Sequence, residues 1–353
     1  MKLKLYCLLY RDIIFRKAFA KGGLNVKAPT IKDVAKVAGV SVSTASRALN
    51  SSGYVSEHTR EKVEKAIKQL NFVPNEVARS LYQKKSKLVG LLLPDISNPF
   101  FAEIVKGVED RLNEEDYVMI VGNVRNSNKK VQEYVKVFTQ NNVAGVLSAV
   151  EMREWTLATL PLVMIDRQCV GVEYTVQANN FQGGQLAAQA IVERTPGSVL
   201  ILEGPDDVYS SHIRLEGAVS VLEQHGSPYE IYKTPSFNQQ SAEHVAHDIL
   251  SNYSHVKSVI ASNDLHALVL MRAAITHGLA IPQDMQIIGY DNIPFSELMY
   301  PGLTTISQPA YDIGYQGAEM LLARIQHTSI TQQAVQLPVT LQLRESLREK
   351  GEQ

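Results

Sequence analysis

The sequence predicts an α/β protein in which a small all-α N-terminal headpiece precedes two lobes of doubly wound parallel sheet. Three observations lead there. From Leu88 onward, apolar runs alternate with amphipathic helical stretches, the pattern of buried parallel strands and crossover helices. Between Thr30 and Leu70, apolar residues instead recur at helical spacing in three short segments. The charge is also uneven: −1 overall, but +5 over residues 1–25 and +7 over 26–87, which leaves −13 for 88–353. A basic front on an acidic body points to a polyanionic partner for the front alone.

Composition sets further bounds. The 353 residues, 45% of them hydrophobic, suffice for two or three domains with sizeable cores. No apolar run approaches the ~18 residues that would span a membrane. Cys7 and Cys169 lack the spacing of a zinc site or a disulfide framework, so no metal or cofactor is expected and a reducing cytoplasm fits. Residues 1–25 differ from the rest. Lys21-Gly22-Gly23 can be encoded by a purine-rich ribosome-binding sequence, with Val26 at the distance of a GTG start. The expectation is a mis-assigned or disordered extension over 1–25.

Residues 26–73 read as a helix-turn-helix headpiece. Thr30 is a good N-cap for a helix with Ile31, Val34, Ala35 and Ala38 on one face, and Asp33 favours its positive end. Gly39-Val40 makes a tight turn, and Ser41 caps a second helix to about Asn50 that buries Val42 in part, Ala45, Ala48 and Leu49. Its other face carries Ser43, Thr44 and Ser46, short donors that can approach phosphates and base edges, and Arg47, whose fork suits guanine O6 and N7. Asn50 and Tyr54 follow where backbone phosphates would pass. A third helix, Ser56 to Leu70, packs Val63, Ala66, Ile67 and Leu70 on the first two. A Ser/Thr-rich helix start can be simple capping; the basic balance and three-helix spacing favour double-stranded DNA. Residues 74–87 form a hinge and linker, with Pro74 as breaker and Asn75 as cap. Val77, Ala78 and Leu81 form an apolar edge too small to bury itself, and Leu81 is suited to wedge into a minor-groove step.

TIKDVAKVAGVSVSTASRALN, followed by VSEHTREKVEKAIKQLNFVPNEVARSL, resembles the headpiece and hinge helix of the LacI/GalR family of bacterial repressors. The resemblance implies a homodimer on a pseudo-palindromic operator, with Leu81 intercalating, Val42 and Ser43 varying operator preference and Arg47 reading bases. It brings Thr30, Ser41, Ser56, Asn75 and Ala78 into the expected DNA-contacting set.

In the body, polar residues gather at strand carboxyl ends: Asp95 and Asn98, Asp166-Arg167, Asn179-Asn180, Asn263-Asp264, Asp291, and Gln308 after TTIS. Arg214 belongs to the helix start after SVLILEG. Phe100, Phe101 and Phe237 can cover the apolar faces of a ring. Any one Asn or Asp there could be a helix cap, but their recurrence at the crossing points argues for a small polyol site. Residues 88–345 resemble the periplasmic-binding-protein core of the same family, with an N-lobe of about 88–177 and 309–330, a C-lobe of about 178–308 and 331–345, and a tail at 346–353. NPFF, IDRQ, ANN-FQGG, IRLEG, SFNQQ, ASND, GYDN and TISQ are similar in order and spacing to the ribose-binding protein and ribose-operon repressors. This implies that Asn98, Phe100, Phe101, Asp166, Arg167, Asn180, Arg214, Phe237, Asn263, Asp291 and Gln308 contact ribose or a related pentose. Two departures stand out: Ala178 replaces a serine, and no asparagine follows VAGVLSAV.

The reading is therefore a cytoplasmic repressor whose inducer, a small sugar, weakens operator binding by about 1–3 kcal/mol per coupled site. Its rivals are weaker. An enzyme lacks any GxSxG, P-loop, metal spacing or strand-following GxGxxG, and His212, His266 and His277 are expected as surface or capping residues. A free-standing sugar receptor would lack the headpiece. A catabolite-control regulator with a phosphorylated carrier protein as co-repressor does not need the full sugar constellation. Purine co-repression suits Asp166-Arg167 less well than hydroxyl binding. The C-terminus has no heptad extension, so a dimer is expected rather than a tetramer.

Overall fold

The computed structural model describes residues 29–50, 53–72, 86–125, 127–151, 160–168, 171–194 and 197–351. The chain divides into two compact units, Met1–Lys84 and Lys85–Gln353. The first holds α1 (Ile31–Ala38), α2 (Val42–Asn50) and α3 (Glu57–Leu70). The Thr30 backbone N–H donates to Asp33 Oδ2 at 2.8 Å, starting α1 as expected. Gly39 ends it at φ +66°, a left-handed position that a side chain would strain. Ser41 then starts α2, its Oγ accepting from the Thr44 N–H at 3.1 Å. The mini-core joins Val34, Ala35, Ala45, Ala48, Val63 and Ala66, with Ile67 and Leu70 half-buried against it. Phe72 also enters it, a residue just beyond the helical periodicity that marked the others. The expected hinge helix, with Asn75, Ala78 and Leu81, lies outside the described residues, as does the 1–25 extension.

The second unit contains two six-stranded sheets. In the first, β1 (Leu88–Leu93), β2 (Val118–Asn123), β3 (Gly145–Ser148), β4 (Leu162–Ile165), β5 (Thr175–Ala178) and β11 (Ala334–Leu337) run in the order β11-β5-β4-β3-β1-β2. All their pairings are parallel. In the second, β6 (Val199–Glu203), β7 (Tyr229–Lys233), β8 (Ser258–Ile260), β9 (Gln286–Asp291), β10 (Thr304–Ser307) and β12 (Thr340–Gln342) run β12-β10-β9-β8-β6-β7, with only β12 antiparallel. The central strands are almost fully buried, so crossover helices must cover both faces. Among these helices, α4 (Pro99–Asn113), α5 (Asn128–Gln140) and α11 (Ala310–Gln326) pack on the first sheet. α6 (Asn180–Val192), α7 (Tyr209–Gln224), α8 (Gln239–Asn252), α9 (Asp264–Thr276) and the short α10 (Phe295–Leu298) belong with the second.

The chain passes between lobes after β5, after β10 and between β11 and β12. The first two crossings follow Ala178 and Ser307. The third corrects the assignment of 331–345 to the C-lobe: β11 pairs in register with β5, Ala334 opposite Thr175, in the first sheet. The residues 346–353 expected as a tail are likewise part of the C-lobe as far as Arg348. Ser346 is fully buried, its Oγ donating to the Ile287 carbonyl at 2.6 Å and accepting from the Thr304 N–H at 2.8 Å. Leu347 is buried beside it. One hydroxyl satisfying two backbone groups is invisible to hydropathy, which is why the segment read as a tail.

α6 and α7 pack backbone to backbone. A β-carbon on Gly184 would lie 2.0 Å from the Arg214 carbonyl oxygen, and one on Gly217 would lie 2.1 Å from that of Phe181. This close approach brings the start of α6 against Arg214. Among the described residues, no helix is long and apolar enough to cross a membrane.

Candidate effector cleft and DNA-reading helix

Between the lobes of the second unit lies a cleft of about 610 Å³, within the size range of small-ligand sites. Ten of the eleven residues expected at a sugar site line it. The N-lobe contributes Asn98, Phe100 and Phe101 from the start of α4, and Asp166 and Arg167 from the end of β4. The C-lobe contributes Arg214, Phe237, Asn263 and Asp291, and Gln308 comes from the second crossing. Asn180 is the exception: only 5% exposed, it is absent from the wall. Its Oδ1 accepts from Arg214 Nε at 2.7 Å, and its Nδ2 donates to the Ala178 carbonyl at 3.1 Å. Turned back from the first residue of α6, it holds Arg214 instead of facing the cleft.

Arg214 is fixed on three sides. Besides Asn180, its Nη1 donates to the Ser262 carbonyl at 3.3 Å, and its guanidinium lies 3.8 Å above the Tyr290 ring. Tyr290 was not singled out from the sequence, where it reads as one more apolar residue of β9; burial pushes its hydroxyl up to about 12. Asp291 Oδ1 accepts from Gln308 Nε2 at 2.7 Å. Arg167 Nε stands 3.8 Å from Asp166 Oδ2.

Both carboxylates are buried, which raises their pKa values above the ordinary aspartate range. Arg167 and Arg214 pull Asp166 back, and Arg214 pulls back Asp291. Asp166 Oδ1, Arg167 Nε and Gln308 Oε1 are buried without a hydrogen-bond partner. Each such atom costs about 1–3 kcal/mol if left alone, and all three belong to residues that line the cleft. The backbone is strained at the same places, with Asp166 at φ +63° and Asp291 at φ +117°. Such outliers concentrate where a side chain must be aimed. Phe100 and Phe101 meet edge to face, their centroids 5.2 Å apart.

The capping alternative is also realised, without excluding the site. Asn98 Oδ1 accepts from the Phe100 N–H at 3.0 Å, and Asn263 Oδ1 from the His266 N–H at 2.9 Å. In both, the cap uses the amide oxygen and leaves the amide nitrogen for the cleft. Where an asparagine was missing after β3, the buried Ala149 and Val150 add nothing to the wall. Arg125, Ser210 and the apolar residues Leu265, Leu268, Val269 and Met299, which were not among the expected site residues, also line the cleft. Arg125 follows β2 at φ +48° and no motif marks it. Glu151 was also missed: from the N-lobe its carboxylate accepts from the Tyr209 N–H of the C-lobe at 3.2 Å. His266 corrects the expectation of a surface or capping side chain. It is 1% exposed, and burial pushes its pKa down to about 4. His277 is exposed at the end of α9, and His212 pairs with Glu203 and Glu216.

In the headpiece, Ser41 just before α2 and Val42, Ser43 and Arg47 on it are exposed, while Thr44 and Ser46 are half-buried. The Ser43 and Thr44 hydroxyls each lie 2.8 Å from Ser41 Oγ, so the three form one cluster at the helix start. Tyr54 is 93% exposed. The Thr30 hydroxyl donates to Asp33 Oδ2 at 2.7 Å, and the Ser56 and Thr59 hydroxyls are 2.9 Å apart. The Asn50 side chain lies outside the described residues.

A three-helix unit with an exposed hydroxyl-and-arginine helix, joined in one chain to a two-lobed ligand cleft, defines a DNA-binding regulator with a small-molecule receptor core. Comparison agrees. Residues 30–75 match the model of bacterial regulatory proteins of the lacI family, and residues 194–347 match a periplasmic binding protein-like domain. The ribose operon repressor of Bacillus subtilis (strain 168) is 43% identical over 324 residues, spanning 91% of this chain and 99% of that relative. Among solved structures, the lac repressor dimer bound to operator and the anti-inducer ONPF aligns with a TM-score of 0.81 at 26% identity, over 91% of this chain and 99% of its own. A LacI family transcriptional regulator from Enterococcus faecium with bound ribose aligns at 0.67 and 30% identity, over 74% and 98% respectively. The chain belongs to the lacI family of bacterial regulatory proteins.

Proposed function

We propose that this protein is a cytoplasmic transcriptional repressor that holds a pseudo-palindromic operator as a homodimer and releases it when ribose fills the cleft. One observation carries the sugar part. Two buried carboxylates, two guanidiniums and a glutamine amide converge on one cleft with partnerless polar atoms, beside aromatic rings. Adjacent hydroxyls of a furanose or pyranose satisfy acceptors and donors together, as a planar base or a lone anion would not. The similarity to ribose operon repressors and to a ribose-bound regulator supports the same ligand. No observation on the described residues favours a phosphorylated carrier protein as co-repressor.

The mechanism is a linkage. Ribose can shift the protein only through its different affinity for the DNA-competent and DNA-incompetent arrangements, and by reciprocity operator DNA must then weaken ribose. Fluorescence anisotropy on labelled operator, with and without saturating D-ribose, tests it. The expected result is operator binding weakened about 5–150-fold by ribose, the range of ordinary allosteric coupling. Operator affinity that ribose leaves unchanged or tightens would refute induction. A thermal-shift series over pentoses, hexoses and purines identifies the ligand, because a native-state binder at 100 times its Kd stabilises by about 2.7 kcal/mol.

A further inference from the structure

We propose that His266 is a positioning residue that sets the polarity of Asn263, so that this amide meets the sugar only as a donor, through Nδ2, to a hydroxyl oxygen. The proposal rests on the sugar reading of the cleft. Asn263 caps α9, and its Oδ1 is engaged twice by the same residue: the His266 backbone N–H at 2.9 Å and His266 Nδ1 at 2.9 Å. An amide oxygen only accepts, so Nδ1 must carry the proton. The ring is 1% exposed and neutral near pH 7, so Nε2 is left as an acceptor, facing Ser241 Oγ at 3.5 Å. With both lone pairs of Oδ1 committed, Asn263 has two N–H donors and no acceptor to offer the cleft it lines.

The same ring backs a second wall residue. Phe237 stands edge-on to His266, their centroids 6.5 Å apart at 81°. Phe237 also abuts Gly204, where a β-carbon would lie 2.4 Å from the ring. His266 thus supports a polar and an aromatic cleft residue while being absent from the lining itself. A plain apolar side chain of similar volume could support Phe237, but it could not hold the Asn263 amide.

Two measurements on the full chain test this. Long-range ¹H–¹⁵N spectra of the ligand-free protein, with His266 assigned by comparison with H266Q, should show the Nδ1–H tautomer; the Nε2–H tautomer overturns the proposal without reference to any sugar. D-ribose titrations of wild type, H266L and H266Q form the second arm, with folding checked by cooperative unfolding. H266L should bind ribose at least tenfold more weakly, and H266Q, which can still donate to Asn263, should recover part of the loss. Across singly deoxygenated riboses, the sugar missing the hydroxyl that Asn263 addresses should bring wild type and H266L within twofold, while the others keep the tenfold ratio. The same ratio for every sugar would mean general loosening and would overturn the proposal. If wild type binds no ribose at all, the sugar reading fails, and the tautomer still decides the orientation of Asn263.

Discussion

Replacing Arg214 by lysine removes the fork that ties α7 to the start of α6 and to the cleft. The Nε bond to Asn180 is a charged hydrogen bond at 2.7 Å onto a buried acceptor, of a kind contributing about 1.5–3 kcal/mol. The stack on Tyr290 at 3.8 Å adds about 1–2 kcal/mol where desolvated. A lysine ammonium can serve one of these contacts but not both, because it has neither the planar face nor the fork. Arg214→Lys should therefore cost about 1–3 kcal/mol in urea unfolding of the core. It should also weaken ribose tenfold to a hundredfold by calorimetry at pH 7, equivalent to about 1.4–2.8 kcal/mol. Asn180→Ala should lose ribose affinity too, although Asn180 is not in the wall, because it acts through Arg214. The two losses should be strongly non-additive in a double-mutant cycle. Ribose affinity within twofold of wild type and an unmoved unfolding midpoint in Arg214→Lys would refute the account, as would additive losses.

Glu151→Ala removes the bond across the lobes to the Tyr209 N–H; ribose affinity should fall about fivefold to tenfold, the value of one hydrogen bond, with the unfolding midpoint nearly unchanged, and calorimetry checks both. Gly204→Ala places a β-carbon 2.4 Å from Phe237 and 2.5 Å from Ser211 Oγ, so overpacking should cost about 1–3 kcal/mol in chemical denaturation and weaken ribose. His266 is held near 4 against an ordinary 6.5, so the unfolded chain takes up its proton first, and this contribution to stability is lost as the pH falls from 6.5 towards 4. Asp264, raised to about 6 from 3.8 by burial, has the opposite sign, its contribution falling as the pH rises from 3.8 to 6. The destabilisation by His266→Leu should therefore shrink by about 3 kcal/mol between pH 7 and pH 4, and a pH-independent difference would contradict the buried neutral ring. Arg47→Lys should relax discrimination at one operator position by about 1–3 kcal/mol in competition binding.

Much of the cleft was legible because α/β folds put ligands beyond strand carboxyl ends, and Asp166, Asn263, Asp291 and Gln308 each follow a recognisable apolar run. What was not legible has physical causes. Asn180 and Asn179 are adjacent and chemically alike, yet Asn179 caps α6 through the Gln182 N–H while Asn180 turns to Arg214; only the packing of α6 on α7 decides which does which. His266 sits two residues after Asp264 in a helix whose apolar residues run nearly all round, so no periodicity separates a buried histidine from an exposed one. β11 has four half-exposed or exposed residues, too short and too weakly patterned to assign to either sheet before its partner is known.

The sequence by itself determined the order of the parts: a helix-turn-helix unit written in capping residues, a left-handed glycine and small apolar contacts, then alternating buried strands with polar groups at their ends. These are local signals, since capping, periodicity and turn chemistry act within a few residues. The tertiary structure alone decided which polar atoms are satisfied and which are left without a partner, because hydrogen bonds such as Arg214 to Asn180 and Gln308 to Asp291 join positions far apart in the chain. It also decided the protonation of the buried groups, since burial and neighbouring guanidiniums exist only once the two sheets and their helices have packed.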